Sequence, residues 1–358
     1  TPPQLLWDWG TAYDLFMSLA VLHDPTGYGV RGAWAAGVRA RLSPQDRETL
    51  EQIPLLGTVP FHWIYTLPEP KDGATVLWAL GRIPPPERVP LLTLDPGVPA
   101  DAEVILRDIA HRGNWDESDV QALQMAFRHG CEHEEGAKPL SAEKIAKPLD
   151  LWANASEYGG RLLDALRAYQ EVFFAEEERR IRPALQQALA RAQEQAERLE
   201  LADLLEELSQ GVRFDKLPQV AELVLVPSYW ITPLVLFGEV TVDRHAWLFG
   251  ARPADASLVP GEMVPEALLR VLKALADPTR LRILHYLAQE TLTPAELSRR
   301  LRLRAPTVTH HLKALRFAGL VQIAVGETKT TRSYAARPEA VSTACASLMS
   351  FLQKDEHD

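Results

Sequence analysis

The last hundred residues are punctuated so closely that few folds can accommodate them. From Val264 to about Ala336, amphipathic stretches alternate with residues that start or stop helices. Leu268, Leu269, Leu272 and Leu275 fall at helical spacing and predict a first helix. Asp277-Pro278 restarts the chain, because Asp caps orphan amides and Pro suits the first turn. Leu281, Ile283, Leu284 and Leu287 then predict a core helix. Thr293-Pro294-Ala295-Glu296 has capping-box spacing, with Glu placed to bond back to the Thr amide. It opens a short helix that turns Leu297 and Leu301 inward.

The next helix is expected from Pro306 to about Ala318. Val308, Leu312 and Leu315 share a narrow arc and should bury against the preceding helix. Thr309, His310 and Lys313 take the opposite face, with Thr307 at its flank near the N-terminus. Phe317 points to that outer side too and is expected to cover a neighbouring surface. After Gly319-Leu320, VQIAV can pair with TRSYAA around GETKT, leaving Lys329 and Arg332 at or near the hairpin tip. Helix, helix, turn, helix, hairpin is the layout of a winged helix-turn-helix, a reader of double-stranded DNA. Hydroxyls and an imidazole can reach base edges, while Lys favours phosphate. The helix N-terminus offers amides to a phosphate, and a basic hairpin tip can follow the backbone or enter the minor groove.

Net charge tests this reading, because the whole chain of 358 residues carries −10. The charge is uneven. Val264 to Arg337 holds 13 Lys and Arg against 5 Asp and Glu, a balance of +8 that leaves −18 for the rest. A basic module on an acidic partner means that one surface only should approach DNA.

The segments LADPTRLRILHYL, AELSRRL and TVTHHLKALRFAGLV resemble the ArsR/SmtB family of bacterial repressors over roughly a quarter of the chain. The resemblance implies a winged helix-turn-helix, a homodimer and a palindromic operator. The helices flanking the reader would form the dimer, through Leu268, Leu272 and Leu275 on one and Leu348 and Leu352 on the other. Two departures are visible. Arg304-Ala305 stands where a Ser or Thr cap is common, which adds a cation, and the hairpin turn is slightly long. Some relatives bind metals through Cys-x-Cys on the positioning helix, but ETLTPAELS has neither Cys nor His. Others use Asp and His on the last helix, where this chain offers only Cys345 and the near-terminal His357.

Elsewhere, His129, Cys131 and His133 could supply soft and borderline ligands, although a polar helix end and loop is the plainer reading. No metal site and no cofactor are therefore expected. The two cysteines, Cys131 and Cys345, lie far apart and imply no disulfide framework. No stretch is long and apolar enough to suggest a membrane helix, so a cytoplasmic protein is the expectation.

The fold class expected is mainly α with small β elements. Residues 1–140 form a Trp- and Pro-rich, mostly helical region, and residues 141–260 add long helices and a small antiparallel sheet to the same body. Residues 261–358 form the winged helix-turn-helix with its flanking dimerisation helices. Within the body, LLWDWGTAYDLFMSLAVL predicts one buried helix, Ser43-Pro44 a helix start and GRIPPPERVP a loop. Asp116 should cap a helix, and Pro183 should break or kink a long one. The body shows no G-x-S-x-G, P-loop, dinucleotide fingerprint or H-E-x-x-H, which points away from an enzyme. The expected function is a sequence-specific transcriptional regulator of repressor type, with a small-molecule effector, a protein or a second subunit bound by the body. Two other classes fit less well: an enzyme or ligand-binding protein whose wing module regulates its own gene, and an architectural or partner-docking DNA-binding protein.

Overall fold

A computed structural model describes residues 2–28, 30, 32–130, 141–214, 220–253, 256, 264–325 and 332–353. The chain divides into two compact units. One comprises Thr1–Leu189, Gln219–Ile231 and Leu236–Ala251, and the other Ala190–Pro218, Thr232–Val235 and Arg252–Asp358. The sequence reading gave all of 141–260 to the body, whereas the contacts group Ala190–Pro218 with the C-terminal unit.

Seven strands occur among the described residues: β1 (Gln4–Trp7), β2 (Val212–Phe214), β3 (Glu222–Ser228), β4 (Leu236–Thr241), β5 (Arg244–Gly250), β6 (Val321–Val325) and β7 (Arg332–Ala336). Four build the body sheet in the order β1-β3-β5-β4. The sheet is mixed, which corrects the expected antiparallel one: β1–β3 and β3–β5 are parallel, and only β4–β5 is antiparallel. The reason lies in β3, whose ELVLVPS is buried at six of seven positions, the near-continuous apolar run of a strand covered on both faces. The short connection after β4 allows a hairpin with β5 alone, so β4 takes the sheet edge.

Helix α1 (Thr11–His23) is buried from Thr11 to Leu22. The expected single helix here is instead β1 followed by α1, corrected at Gly10, where the backbone of Lys71 passes 2.4 Å from the place a Cβ would occupy. Asp14 sits wholly buried on α1 and accepts from Ser228 Oγ (2.6 Å), Trp230 N (3.0 Å) and Tyr229 N (3.2 Å). It thereby ties the end of β3 to the core. Burial pushes its carboxyl up to about 6, against the opposing effect of those three donors.

Ser43 accepts from Asp46 N (3.1 Å), as its cap requires, and Asp116 accepts from Ser118 N (2.7 Å) at the start of Glu117–Gly130. GRIPPPERVP is a correction. Pro85–Thr93 is a helix, because its leading prolines occupy the first turn, where amide donors have no intrahelical partner. Beyond α2 (Ala155–Tyr169), Gln170–Phe174 forms a π turn that leads into α3 (Ala175–Ala196). Pro183 lies inside α3 without ending it; the carbonyl its ring deprives of a donor belongs to exposed Arg179, where water can serve. Trp152, Trp230 and Trp247 are core residues, whereas Trp78 is 56% exposed. No helix among the described residues is long and apolar enough to cross a membrane.

In the C-terminal unit, α4 (Leu201–Leu208) and β2 precede α5 (Glu266–Leu275), α6 (Pro278–Leu287), α7 (Pro294–Leu301), α8 (Ala305–Phe317), β6, β7 and α9 (Pro338–Gln353). Each local start signal is used. Asp277 accepts from Arg280 N (2.9 Å), and Thr293 and Glu296 exchange both capping-box bonds. Ile283, Leu287, Leu297, Leu301, Val308, Leu312, Leu315 and Leu320 form the core, with Val321 and Tyr334 from the hairpin. Burying each leucine contributes about 1.5–3 kcal/mol, so this core holds three short helices that would not persist alone. The hairpin is one strand richer than expected: β2 pairs parallel with β6, giving the order β2-β6-β7. On the far side, Leu292 and Tyr334 exchange backbone bonds of 2.9 and 2.8 Å.

Candidate nucleic-acid interface

Helix α8 is positioned by its own buried arc. Val308, Leu312 and Leu315 are at most 1% exposed and face the core, which leaves Thr307, Thr309, His310 and Lys313 exposed on the outside. Thr309 Oγ1 donates to Ala305 O (3.0 Å), so its hydroxyl faces solvent as an acceptor. His310 and His311 are adjacent but unlike. His310 is exposed, whereas His311 is half-buried, with Nδ1 3.9 Å from Asp277 Oδ1. Burial holds the His311 imidazole below its usual value, offset in part by Asp277. His311 therefore serves the α6–α8 packing, and His310 is free to meet a ligand.

Lys313 Nζ lies 5.5 Å from the ring centroid of Phe317. Phe317 itself is 9% exposed, which places it among the packed residues as the sequence reading anticipated. The ring holds the ammonium on the outer face without neutralising it. The N-terminus of α8 has fewer free amides than a typical helix. Pro306 has none, and Thr307 N donates to Arg304 O (3.0 Å), leaving Ala305 N–H without a partner among the described residues. Arg304 is the N-cap residue, makes no side-chain cap and is exposed. An anion here would meet one amide and one guanidinium.

Arg332 begins β7 and is exposed. Lys329 lies outside the described residues, as do Cys131, His133 and the side chain of His129. Among the described residues, no group of three His, Cys, Asp or Glu side chains could hold a metal ion.

The model of the bacterial regulatory protein, arsR family, matches residues 277–322, which run from the cap of α6 through α8 into β6. The C-terminal region contains an ArsR-type helix-turn-helix domain. The HTH-type transcriptional regulators CmtR of Mycobacterium bovis (strain ATCC BAA-935 / AF2122/97) and Mycobacterium tuberculosis (strain ATCC 25618 / H37Rv) are each 47% identical to this chain over 60 residues. That stretch is 17% of this chain, which spans about half the length of the curated relatives it matches (51%). A solved ArsR family transcriptional regulator is 28% identical, over 25% of this chain and 89% of its own, with a TM-score of 0.22.

Within this ArsR-type domain the structure adds one cation that sequence reasoning passed over. Arg302 is the C-cap of α7, at φ 55°, and is exposed with no acidic partner among the described residues. It stands two residues before the Arg304 cap, in the turn between α7 and α8. Arg300, by contrast, is committed to Glu290, at 2.5 and 3.1 Å. Arg316 is 6% exposed and turned away from the outer face. The flanking helices α5 and α9 pack on each other. Leu268 is already buried in the single chain, Leu272, Leu275 and Leu348 are half-buried, and Leu352 is 67% exposed beside Met349 at 55%.

Proposed function

We propose that this chain is a sequence-specific, DNA-binding transcriptional regulator that acts as a repressor, by binding and not by catalysis, in the cytoplasm. The observation that carries this is the outer face of α8. It presents an acceptor hydroxyl at Thr309, a free imidazole at His310 and an unneutralised Lys313, with Thr307 and Arg304 at the end from which such a helix enters the major groove. Thr307, Thr309 and His310 would read base edges, while Arg304, Lys313, Lys329 and Arg332 would meet phosphates. The basic balance of the segment, opposed to the acidic remainder, supports one DNA-facing surface.

The chain would act as a homodimer on a palindromic operator. Leu272, Leu275, Leu348 and Leu352 of α5 and α9 would supply the apolar contact, with Leu268 supporting them from within the chain. The body would bind a small-molecule effector or contribute to dimerisation, and an effector preferring one arrangement of the two readers would shift operator affinity. Selection of bound sequences from random duplex DNA tests the reading. A palindromic consensus is expected, and recovery of no consensus at moderate salt would refute it. Sedimentation as a monomer at all concentrations would refute the two-half-site arrangement.

A further inference from the structure

Two arginines of the C-terminal unit are used in a way that DNA reading alone does not require. Arg316, on the last turn of α8, is buried and donates to Ser209 O (2.6 Å) and Gln210 O (2.9 Å). Arg337, just before α9, donates to the same Gln210 O (2.8 Å) and to Gly319 O (3.4 Å), and its Nε meets Glu339 (3.1 Å). Ser209 and Gln210 are the carbonyl end of α4. Gln210 at φ 55° and Gly211 at φ 99° turn the chain there, and Gly211 N bonds back to Glu206 O (2.9 Å). A Cβ at Gly211 would stand 2.9 Å from Arg337 Cδ, so a larger residue there would crowd this guanidinium.

The carbonyl end of a helix carries partial negative charge, and here it compensates a buried cation that has no carboxylate partner among the described residues. Burial, with the neighbouring Arg337, brings the Arg316 guanidinium down to about 10. The contact continues along the hairpin. Ile323 N donates to Gly211 O (2.8 Å), β2 lies parallel to β6 from Val212↔Ile323 onward, and Gln322 donates to Glu206. Residues 201–214 thus hold the C-terminal end of α8 and the outer edge of β6 together. Arg304, Thr307, Thr309, His310, Lys313 and Arg332 all stay exposed, so the segment covers none of the described residues assigned to DNA.

We propose that α4 and β2 are a brace for the reader, and that Arg316 and Arg337 are positioning residues that fix the angle between α8 and the β6–β7 wing. A wing held at one angle would place Arg332 on the backbone while α8 lies in the major groove; a wing released from β2 would keep only its Val321, Tyr334 and Leu292 anchors and hold both contacts less often. The brace rests on the DNA-reading proposal for its consequence, though not for its geometry.

The test uses the full chain. Arg316→Met keeps an unbranched stem and removes the donors, Arg316→Lys restores a donor cation, and Gln322→Leu loosens the brace at one side-chain bond. Hydrogen exchange of the Ile323 amide reports docking of β2, and anisotropy against the selected duplex reports DNA binding. Arg316→Met should speed Ile323 exchange and weaken binding about tenfold, as losing one or two backbone contacts would. Arg316→Lys should recover part of both, and Gln322→Leu should move both in the same direction by less. In the Arg316→Met background, Arg332→Ala should cost much less than it does in the wild type, whereas Thr309→Val should cost the same. Fast Ile323 exchange with unchanged DNA affinity, or strictly additive effects of Arg316→Met and Arg332→Ala, would overturn the positioning role and leave the DNA reading standing. A wild-type chain that selects no sequence would overturn both.

Discussion

Replacing Thr309 with Val removes a hydroxyl while keeping the branched shape, and its effect can be worked out from one hydrogen bond. Because the hydroxyl proton already goes to Ala305 O at 3.0 Å, Thr309 meets DNA as an acceptor. Its partners in the major groove are then exocyclic amines, adenine N6 or cytosine N4. Losing one such hydrogen bond costs about 0.5–1.5 kcal/mol of discrimination, roughly 2- to 13-fold on the preferred sequence and almost nothing on random DNA. Lys313 differs: its ammonium rests near the Phe317 ring, and removing it deletes one phosphate contact. Lys313→Ala should flatten the slope of log K against log salt by about 0.9, so that raising salt from about 50 to about 200 mM costs the variant about 3.5-fold less affinity than the wild type. Fluorescence anisotropy on a selected duplex and its shuffled counterpart, across that salt range, measures both. Equal weakening of the two duplexes by Thr309→Val, or altered selectivity with an unchanged slope in Lys313→Ala, would refute the assignment.

Three further outcomes follow from the geometry. Thr293→Ala breaks the capping box of α7 and should cost about 1 kcal/mol in urea unfolding, whereas Leu312→Ala, in the core of the same unit, should cost about 2–5 kcal/mol. Leu352→Glu changes a side chain that is 67% exposed, so it should leave the fold of the single chain intact and shift sedimentation from dimer to monomer; a persistent dimer would move the interface elsewhere. Asp14 holds its proton up to about pH 6 when folded but releases it near 3.8 when unfolded, so it makes stability fall as pH rises through that window, by on the order of 3 kcal/mol. Asp14→Asn should flatten that fall, and an unchanged pH slope would show that Asp14 is ionised throughout.

The parts of the fold legible in the sequence are those whose cause is local. Asp277, Ser43 and the Thr293–Glu296 pair each act within three residues, and each caps the helix it announces. The arc of Val308, Leu312 and Leu315 likewise needs only helical periodicity to locate the face that Thr309 and His310 take. Signals that depend on distant chain were misread. The polarity of the body sheet turns on whether β3 finds β5 or β4, which no turn residue encodes. The prolines 84–86 look like a loop until a helix begins among them. Nothing local in the sequence marks Arg316 as buried, because its carbonyl partners are 106 and 107 residues earlier. Helical periodicity had already put His310 on the outer face; what it could not show is that His311 lies beside the cap of α6.

The parallel pairing of β2 with β6 bears on how this reader can be handled apart from the rest of the chain. The family match begins at Asp277, and a cut near residue 261 would look natural on sequence grounds. Such a fragment would keep every helix of the DNA-facing layout but lose the strand that closes the outer edge of β6. It would present an unpaired row of amides and carbonyls to any other extended chain. It would also leave the Arg316 guanidinium without the carbonyls that now take its protons. A fragment beginning at Leu201 retains α4 and β2, and should stay a discrete dimer at concentrations where the shorter one aggregates.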